Sequence, residues 1–262
     1  HPHSASAREE NHVLLLHSYH EGYEWSDSVH GGVVDTLRSA AGLDIRLCVE
    51  YLDAMRNPGE AHLDAMETLL RGKYTDKGVA FDVIICTDDN ALAFIRKSGD
   101  GLFGDVPKVF CGANDFTPNR IAGMANITGV NEAKSVHETL DLIFDLFPDV
   151  KTIAAVSGSR LAEKSNHREA RRIAARFFQG RAEFLWLNEL EPEELQRRLS
   201  ELDPKTSAVL YLNYFQTPSG KSLLTAEALD LVSKSTGAPV LVTADFLVRN
   251  GMLGGKVVHG RS

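Results

Sequence analysis

The sequence predicts an α/β protein built of two doubly wound parallel-sheet lobes joined by a hinge, and three observations lead there. Short apolar runs alternate with segments of helical spacing along the chain. The alternation breaks once, over residues 115–126 (DFTPNRIAGMAN), where Pro118, Gly123 and two Asn interrupt any periodicity. It then restarts with the same grammar. Strands separated by helices of this length form parallel sheets covered on both faces, and each half of the chain carries enough strands for one sheet.

Each element follows from its own residues. Residues 12–19 (HVLLLHSY) are apolar without alternation in the middle, as a strand buried on both faces requires. Residues 26–41 put Val29, Val33, Val34 and Leu37 on one side of a helix. Residues 44–52 form a second strand. Residues 60–71 form a helix with Leu63, Met66, Leu69 and Leu70 inward. A third strand runs over 81–87 (FDVIICT). The next helix, 88–98, opens on two acidic residues, which the helix dipole favours. Residues 108–111 are a fourth strand, closed by the turn Gly112-Ala113-Asn114. Past the connector come a helix over 133–146, a strand over 151–157 (KTIAAVS) and a long Ala- and Arg-rich helix over 161–178. A strand over 182–190 precedes a helix over 192–202, which has Pro192 first and Glu193 and Glu194 in its opening turn. A strand over 208–215 (AVLYLNYF), a helix over 223–235 and a strand over 239–244 (PVLVTA) complete the second half. The organisation is therefore a lobe over 10–118, a connector over 119–132, a lobe over 133–250, and a return crossing toward the first lobe over 251–262 that reads as truncated.

Composition narrows the function. The 262 residues suffice for two domains, and 43% hydrophobic with 24% charged residues is globular rather than disordered. A net charge of −8 without a large Lys/Arg cluster argues against nucleic acid and against an anionic membrane surface as partners. No apolar run approaches the roughly 18–20 residues of a membrane-spanning helix, so a membrane link would come only through a tethered segment outside this chain. The opening His1-Pro2-His3-Ser4-Ala5 reads as a cloning remnant or as the new end of a processed protein. Cys48, Cys86 and Cys111 lie in apolar runs, form no CxxC pair and read as buried free thiols.

Ligands of open parallel sheets sit beyond the carboxyl ends of the strands. The residues placed there are Tyr19, His20, Tyr23 and Trp25 after the first strand, Asp88 after the third, and Asn114 after the fourth. In the second half they are Ser157 and Ser159, Asn213 and Tyr214, and Asp245. Aromatic faces beside a few fixed polar groups suit a small organic ligand. Tyr19, Tyr23 and Trp25 would wall it, and Asp88 or Asp245 would hold an amine or hydroxyl. The turn Ser157-Gly158-Ser159 precedes a helix, so its backbone N–H groups and hydroxyls would hold an anionic group, although a helix N-cap explains the same residues.

Other chemistries lack a full set of residues. Gly220-Lys221-Ser222 ends like a phosphate loop, but Phe215 stands where the motif needs glycine. His17 and His20 point to opposite faces of a strand, and no set of metal ligands forms around them. No GxSxG elbow supports a hydrolase. Asp88-Asp89 reads as helix capping before it reads as paired catalytic carboxylates. The expectation is a binding protein with no catalytic residue, no metal and no cofactor. An α/β enzyme such as a small hydrolase or transferase is the competing class.

Four segments carry a resemblance. Ser18-Tyr19-His20-Glu21-Gly22-Tyr23-Glu24-Trp25 resembles the opening of periplasmic sensor domains related to the ABC-transporter substrate-binding family. Val109–114 (VFCGAN), 127–132 (ITGVNE) and 251–255 (GMLGG) fit the same family in the same order. The resemblance spans most of the chain. It implies the type I periplasmic-binding-protein fold, with Tyr19, Asp88, Asn114, Ser157, Asn213 and Asp245 around a ligand held between two lobes. It also implies a periplasmic or extracellular setting, as a sensor domain of a histidine kinase or diguanylate cyclase or as a free transport receptor. An amino acid or a similar polar or aromatic metabolite would be the ligand, and a homodimer is allowed.

Overall fold

The computed structural model describes residues 10–114, 116–132, 135–249 and 251–261. The readings that fall on Asp115, Ala133 and Asn250 lie outside the described residues. The chain divides into two compact units, His1–Glu132 with Gly260–Ser262, and Ala133–His259. Each is an α/β lobe around its own parallel sheet.

The first lobe contains β1 (Glu10–His17), α1 (Glu24–Ser39), β2 (Asp44–Tyr51), α2 (Glu60–Lys73), β3 (Val83–Thr87), α3 (Asp88–Phe103), β4 (Lys108–Ala113) and β5 (Ile127–Asn131). Its strands lie in the order β2-β1-β3-β4-β5, and all neighbours are parallel. The unbroken apolar run explains why β1 sits inside the sheet: Leu14, Leu15 and Leu16 are all fully buried. On one side of the sheet, Leu14, Leu16, Ile84 and Phe110 pack with Leu70, Leu92 and Ile95 from α2 and α3.

Strand β5 falls within the stretch read from sequence as connector. It is a short edge strand with four of its five residues exposed, so it shows neither an apolar run nor a buried stripe. Gly129 gives it a place, because a Cβ there would lie 2.2 Å from the Phe110 carbonyl oxygen.

The second lobe contains α4 (Val136–Leu146), β6 (Thr152–Ser157), α5 (Leu161–Phe177), β7 (Glu183–Asn188), α6 (Pro192–Ser200), β8 (Ser207–Tyr211), α7 (Thr225–Ser233) and β9 (Val240–Val242). The order β7-β6-β8-β9 is again wholly parallel. Its centre is β6 and β8, and Ile153, Ala155, Ala208 and Leu210 pack with Leu140, Ile143 and Ala170. Isolated bridges from Gly254 to Leu241 and from Val258 to Ala244 extend the sheet past β9. Beyond them Gly260 lies against Ser28 and Val29 of α1, and Arg261 pairs with Asp35. Among the described residues no helix is long and apolar enough to cross a membrane.

In each lobe the strand order reverses beside the first strand, between β1 and β3 and between β6 and β8. Such a switch point opens a crevice at the carboxyl ends of the two strands, since the helices that follow them depart to opposite faces.

Candidate functional site

At the switch point of the first lobe, Thr87 ends β3 and Asp88 begins α3. Asp88 adopts φ +65°, an uncommon state that Asp tolerates better than most residues, and it is buried. The Trp25 indole N–H donates to Asp88 Oδ1 at 2.9 Å. Two expected site residues are therefore joined, and Trp25 fixes a carboxylate as well as offering a ring. Tyr19 and Tyr23 meet edge to face with centroids 5.5 Å apart. His20 lies beside Tyr23 at 5.8 Å and pairs with Asp53 at 3.5 Å. Tyr19, Tyr23 and Trp25 are each less than a tenth exposed, so this aromatic group is packed rather than a free loop.

Asp89 has a different role from the capping expected of it. Its carboxylate accepts the Asn114 backbone N–H at 3.2 Å and side-chain Nδ2 at 2.9 Å, and it pairs with Arg120 at 2.6 Å. Arg120 also donates to the Asn114 carbonyl at 2.7 Å. This network fixes the loop after β4 to the start of α3. Because a carboxylate only accepts, it also fixes the Asn114 amide with Nδ2 toward Asp89. Asn114 Oδ1 is buried and has no hydrogen-bond partner among the described residues.

The second lobe repeats the arrangement with other residues. The loops after β6 and β8 are bonded to each other: Gly158 N–H donates to the Asn213 carbonyl at 2.9 Å, and Ser159 N–H to the Gln216 carbonyl at 3.0 Å. Glu163, buried in the first turn of α5, accepts the Arg160 N–H at 2.8 Å and the Phe215 N–H at 2.6 Å. A Cβ at Gly158 would lie 2.4 Å from Glu163 Oε2, so only glycine fits there. These bonds correct one expectation. The backbone N–H groups of the 158–160 turn are committed to protein acceptors, so they form no anion cradle, and what remains there is hydroxyl chemistry.

Ser157 Oγ is buried and lies 3.2 Å from His167 Nδ1. Burial, followed by the nearby Arg171 charge, lowers the His167 pKa, which favours the neutral ring. Asn213 adopts φ +73°, the left-handed state that Asp88 shows in the first lobe. The Tyr214 hydroxyl donates to the Leu190 carbonyl at 2.7 Å, and burial raises its pKa. Asp245 accepts the Phe246 N–H at 2.8 Å through one oxygen and pairs with His259 at 2.8 Å through the other.

Sequence reasoning did not single out Asn166 and His167, which face the same strand ends from α5. The Asn166 amide donates to the Leu212 carbonyl at 3.3 Å. Around this crevice, five buried polar atoms have no hydrogen-bond partner among the described residues: Ser159 Oγ, Asn166 Oδ1, His167 Nε2, Asn213 Oδ1 and Thr243 Oγ1. Each such atom costs about 1–3 kcal/mol when left dry.

The remaining sequence motifs are structural. Gln216 and Ser222 form an antiparallel bridge that closes a turn, and α7 begins only at Thr225, so Gly220-Lys221-Ser222 is no phosphate loop. His17 bonds Thr87 Oγ1 at 3.0 Å and His30 at 3.2 Å. Cys48, Cys86 and Cys111 are free; Cys86 is buried and the other two half-buried. Burial, aided by the Asp88 charge, raises the Cys111 pKa to about 12, which keeps it a thiol. A groove of about 520 Å³ lies away from the strand ends, between α1 and the edge strand β2, lined by Val34, Leu37, Ile45, Leu47 and Val49 among others.

No family model matches the chain, and no curated protein matches it. Solved structures do. A ligand-free, open substrate-binding protein with adhesive properties from Clostridium difficile is similar at TM-score 0.63 and 16% identity, over 96% of this chain and 80% of that one. An ABC domain in complex with L-Trp from Streptococcus pneumonia is similar at TM-score 0.63 and 14% identity, over 97% and 80%. A branched-chain amino acid ABC transporter protein from Thermus thermophilus with bound valine is similar at TM-score 0.55 and 11% identity, over 90% and 59%. At these identities the likeness shows a shared fold: two parallel-sheet α/β lobes of the substrate-binding-protein kind.

Proposed function

We propose that this chain is a small-molecule receptor that takes its ligand at the carboxyl ends of its sheet strands. The observation that carries this reading is the group of five buried polar atoms at the strand ends of the second lobe that have no partner among the described residues. Native proteins keep such groups where water or a ligand satisfies them. The resemblance read from the sequence and the fold shared with substrate-binding proteins both agree with it. In this reading Tyr19 and Tyr23 supply aromatic surface, Trp25 acts through Asp88, and Ser159 and Asn213 are direct contacts. Ser157, Tyr214 and Asp245 hold the loops, and Asn114 offers its amide oxygen. His20 borders the aromatic group.

We place the receptor outside the cytoplasm, as the sensor domain of a membrane signalling protein, on the resemblance of Ser18–Trp25. A ligand held more tightly in one conformation would shift the population toward it and so carry the signal. A free receptor of an ABC transporter is the second reading, favoured by the names of the structural neighbours, and it requires the same ligand chemistry. The full-length gene separates the two, because a downstream kinase or cyclase module excludes a free receptor. An enzyme reading would need the Ser157–His167 pair to act as nucleophile and base, but His167 Nε2 has no carboxylate to orient it.

Calorimetric titration with L-tryptophan, L-valine, other amino acids, nucleosides and myo-inositol tests the proposal. Saturable one-site binding is expected, weakened at least tenfold in Asn213→Ala and in Asp88→Ala. Turnover of the bound compound, or no binding across the panel, would overturn it.

A further inference from the structure

The second switch point holds buried side-chain acceptors beside backbone N–H groups that are already bonded. Six backbone N–H groups beside it are taken within the protein. Gly158 and Ser159 donate to the carbonyls of Asn213 and Gln216, and Thr217 donates to that of Lys221. Arg160 and Phe215 donate to Glu163, and Tyr214 donates to the Tyr211 hydroxyl. The Arg160 guanidinium, nine-tenths buried, lies over the Phe215 ring at 5.6 Å.

Among the described residues, side-chain acceptors there lack a partner. Asn166 is fully buried, and its amide orientation is fixed because Nδ2 donates to the Leu212 carbonyl at 3.3 Å. Its Oδ1 is therefore an acceptor with nothing to accept. Asn213 Oδ1 is a second acceptor. The hydroxyls of Ser159 and Thr243 can accept as well as donate. These residues are neighbours in the chain fabric. Leu212, which holds Asn166, adjoins Asn213; Asn213 bonds Gly158; and Thr243 follows Val242, the register partner of Tyr211. In the first lobe, Asn114 Oδ1 is likewise an acceptor, its orientation fixed by Asp89.

We infer that the ligand is selected by hydrogen-bond donors, an ammonium, amide N–H₂ or polyol hydroxyls, which Asn166, Asn213 and Ser159 read through their oxygens. This rests on the receptor reading above and adds the chemical class to it. A group that only accepts, such as a carboxylate or a phosphate, leaves the amide oxygens unmet. A site built to hydrogen-bond a donor discriminates strongly against an analogue lacking it, because its own buried polar groups are then stranded.

Matched pairs test this on the whole chain by calorimetric titration: L-valine against isovalerate, L-tryptophan against indole-3-propionate, L-valinamide as the donor without the carboxylate, and myo-inositol as an uncharged donor. The amine, amide or polyol that binds should do so at least a hundredfold more tightly than its counterpart without the donor. Ser159→Ala, whose hydroxyl has no partner to lose among the described residues, should weaken it about fivefold or more, and Asn166→Leu at least tenfold. Folding of each variant is checked by circular dichroism, and Ser159→Ala decides the point if Asn166→Leu unfolds. Deaminated compounds binding as well as their amines, or unchanged affinity in folded Ser159→Ala, would overturn the inference and leave the receptor reading intact. No binding by any compound would remove the receptor reading itself.

Discussion

Two buried side chains show what single residues contribute. His17 is fully buried, stacked on Tyr51 at 4.9 Å and bonded to Thr87 and His30. Burial first, then the adjacent His30, lowers its pKa from 6.5 to about 4. The unfolded chain therefore takes up this proton before the folded one does. Stability is unaffected above about pH 6.5 and falls as pH drops toward 4. Between pH 7 and pH 5 the loss from this group is about 2 kcal/mol. Urea unfolding at both pH values should show a smaller difference in His17→Asn than in the parent; an equal difference contradicts the assignment. Glu163 binds two backbone N–H groups on separate loops. Gln at this position keeps one acceptor oxygen and turns an N–H₂ group toward the other N–H, so Glu163→Gln should lose about 2–3 kcal/mol. A change under about 0.5 kcal/mol in denaturant unfolding would show that this carboxylate does not join the loops.

At the scale of elements, legibility followed local pattern. The central strands were readable because Leu14–Leu16 and Ile153–Val156 are buried on both faces, and a short unbroken apolar run between turn signals is what such a strand requires. Strand β5 was not, because its place depends on Phe110, far away in sequence, against which Gly129 packs. Gly129→Ala should therefore cost about 3 kcal/mol, since the added methyl meets backbone rather than a yielding side chain. A melting temperature within a degree of the parent would show that the edge strand is dispensable. The candidate site was legible in position and not in wiring. The rule for carboxyl ends located Asp88, Asn114, Ser157 and Asn213. The partners that define their chemistry come from elsewhere: Trp25 for Asp88, Asp89 and Arg120 for Asn114, and His167 for Ser157. Glu163 left a weak trace as a Glu three residues after a helix boundary, but Arg160 stands where the usual signature has Ser or Thr. Asn166 and His167 left none, because one turn inside a helix a polar residue reads as surface.

For the whole molecule, two lobes of different sequence carry the same plan. Each has a parallel sheet, a reversal of strand order beside its first strand, an Asx residue at positive φ after the strand across that reversal, and an amide oxygen left without a partner. Repetition of strained backbone and unmet polarity at matching points is what a ligand site built from strand ends requires. The most direct test is the melting temperature of the whole chain with L-tryptophan, L-valine, L-valinamide and myo-inositol, repeated in Asn213→Ala. A compound present at a hundred times its Kd stabilises the folded state by about 2.7 kcal/mol. For a chain of this size that is a rise of roughly 5–10 °C. The account predicts such a rise for at least one donor-bearing compound and its loss in Asn213→Ala. A rise that persists undiminished in the variant, or none with any of the four, would contradict it.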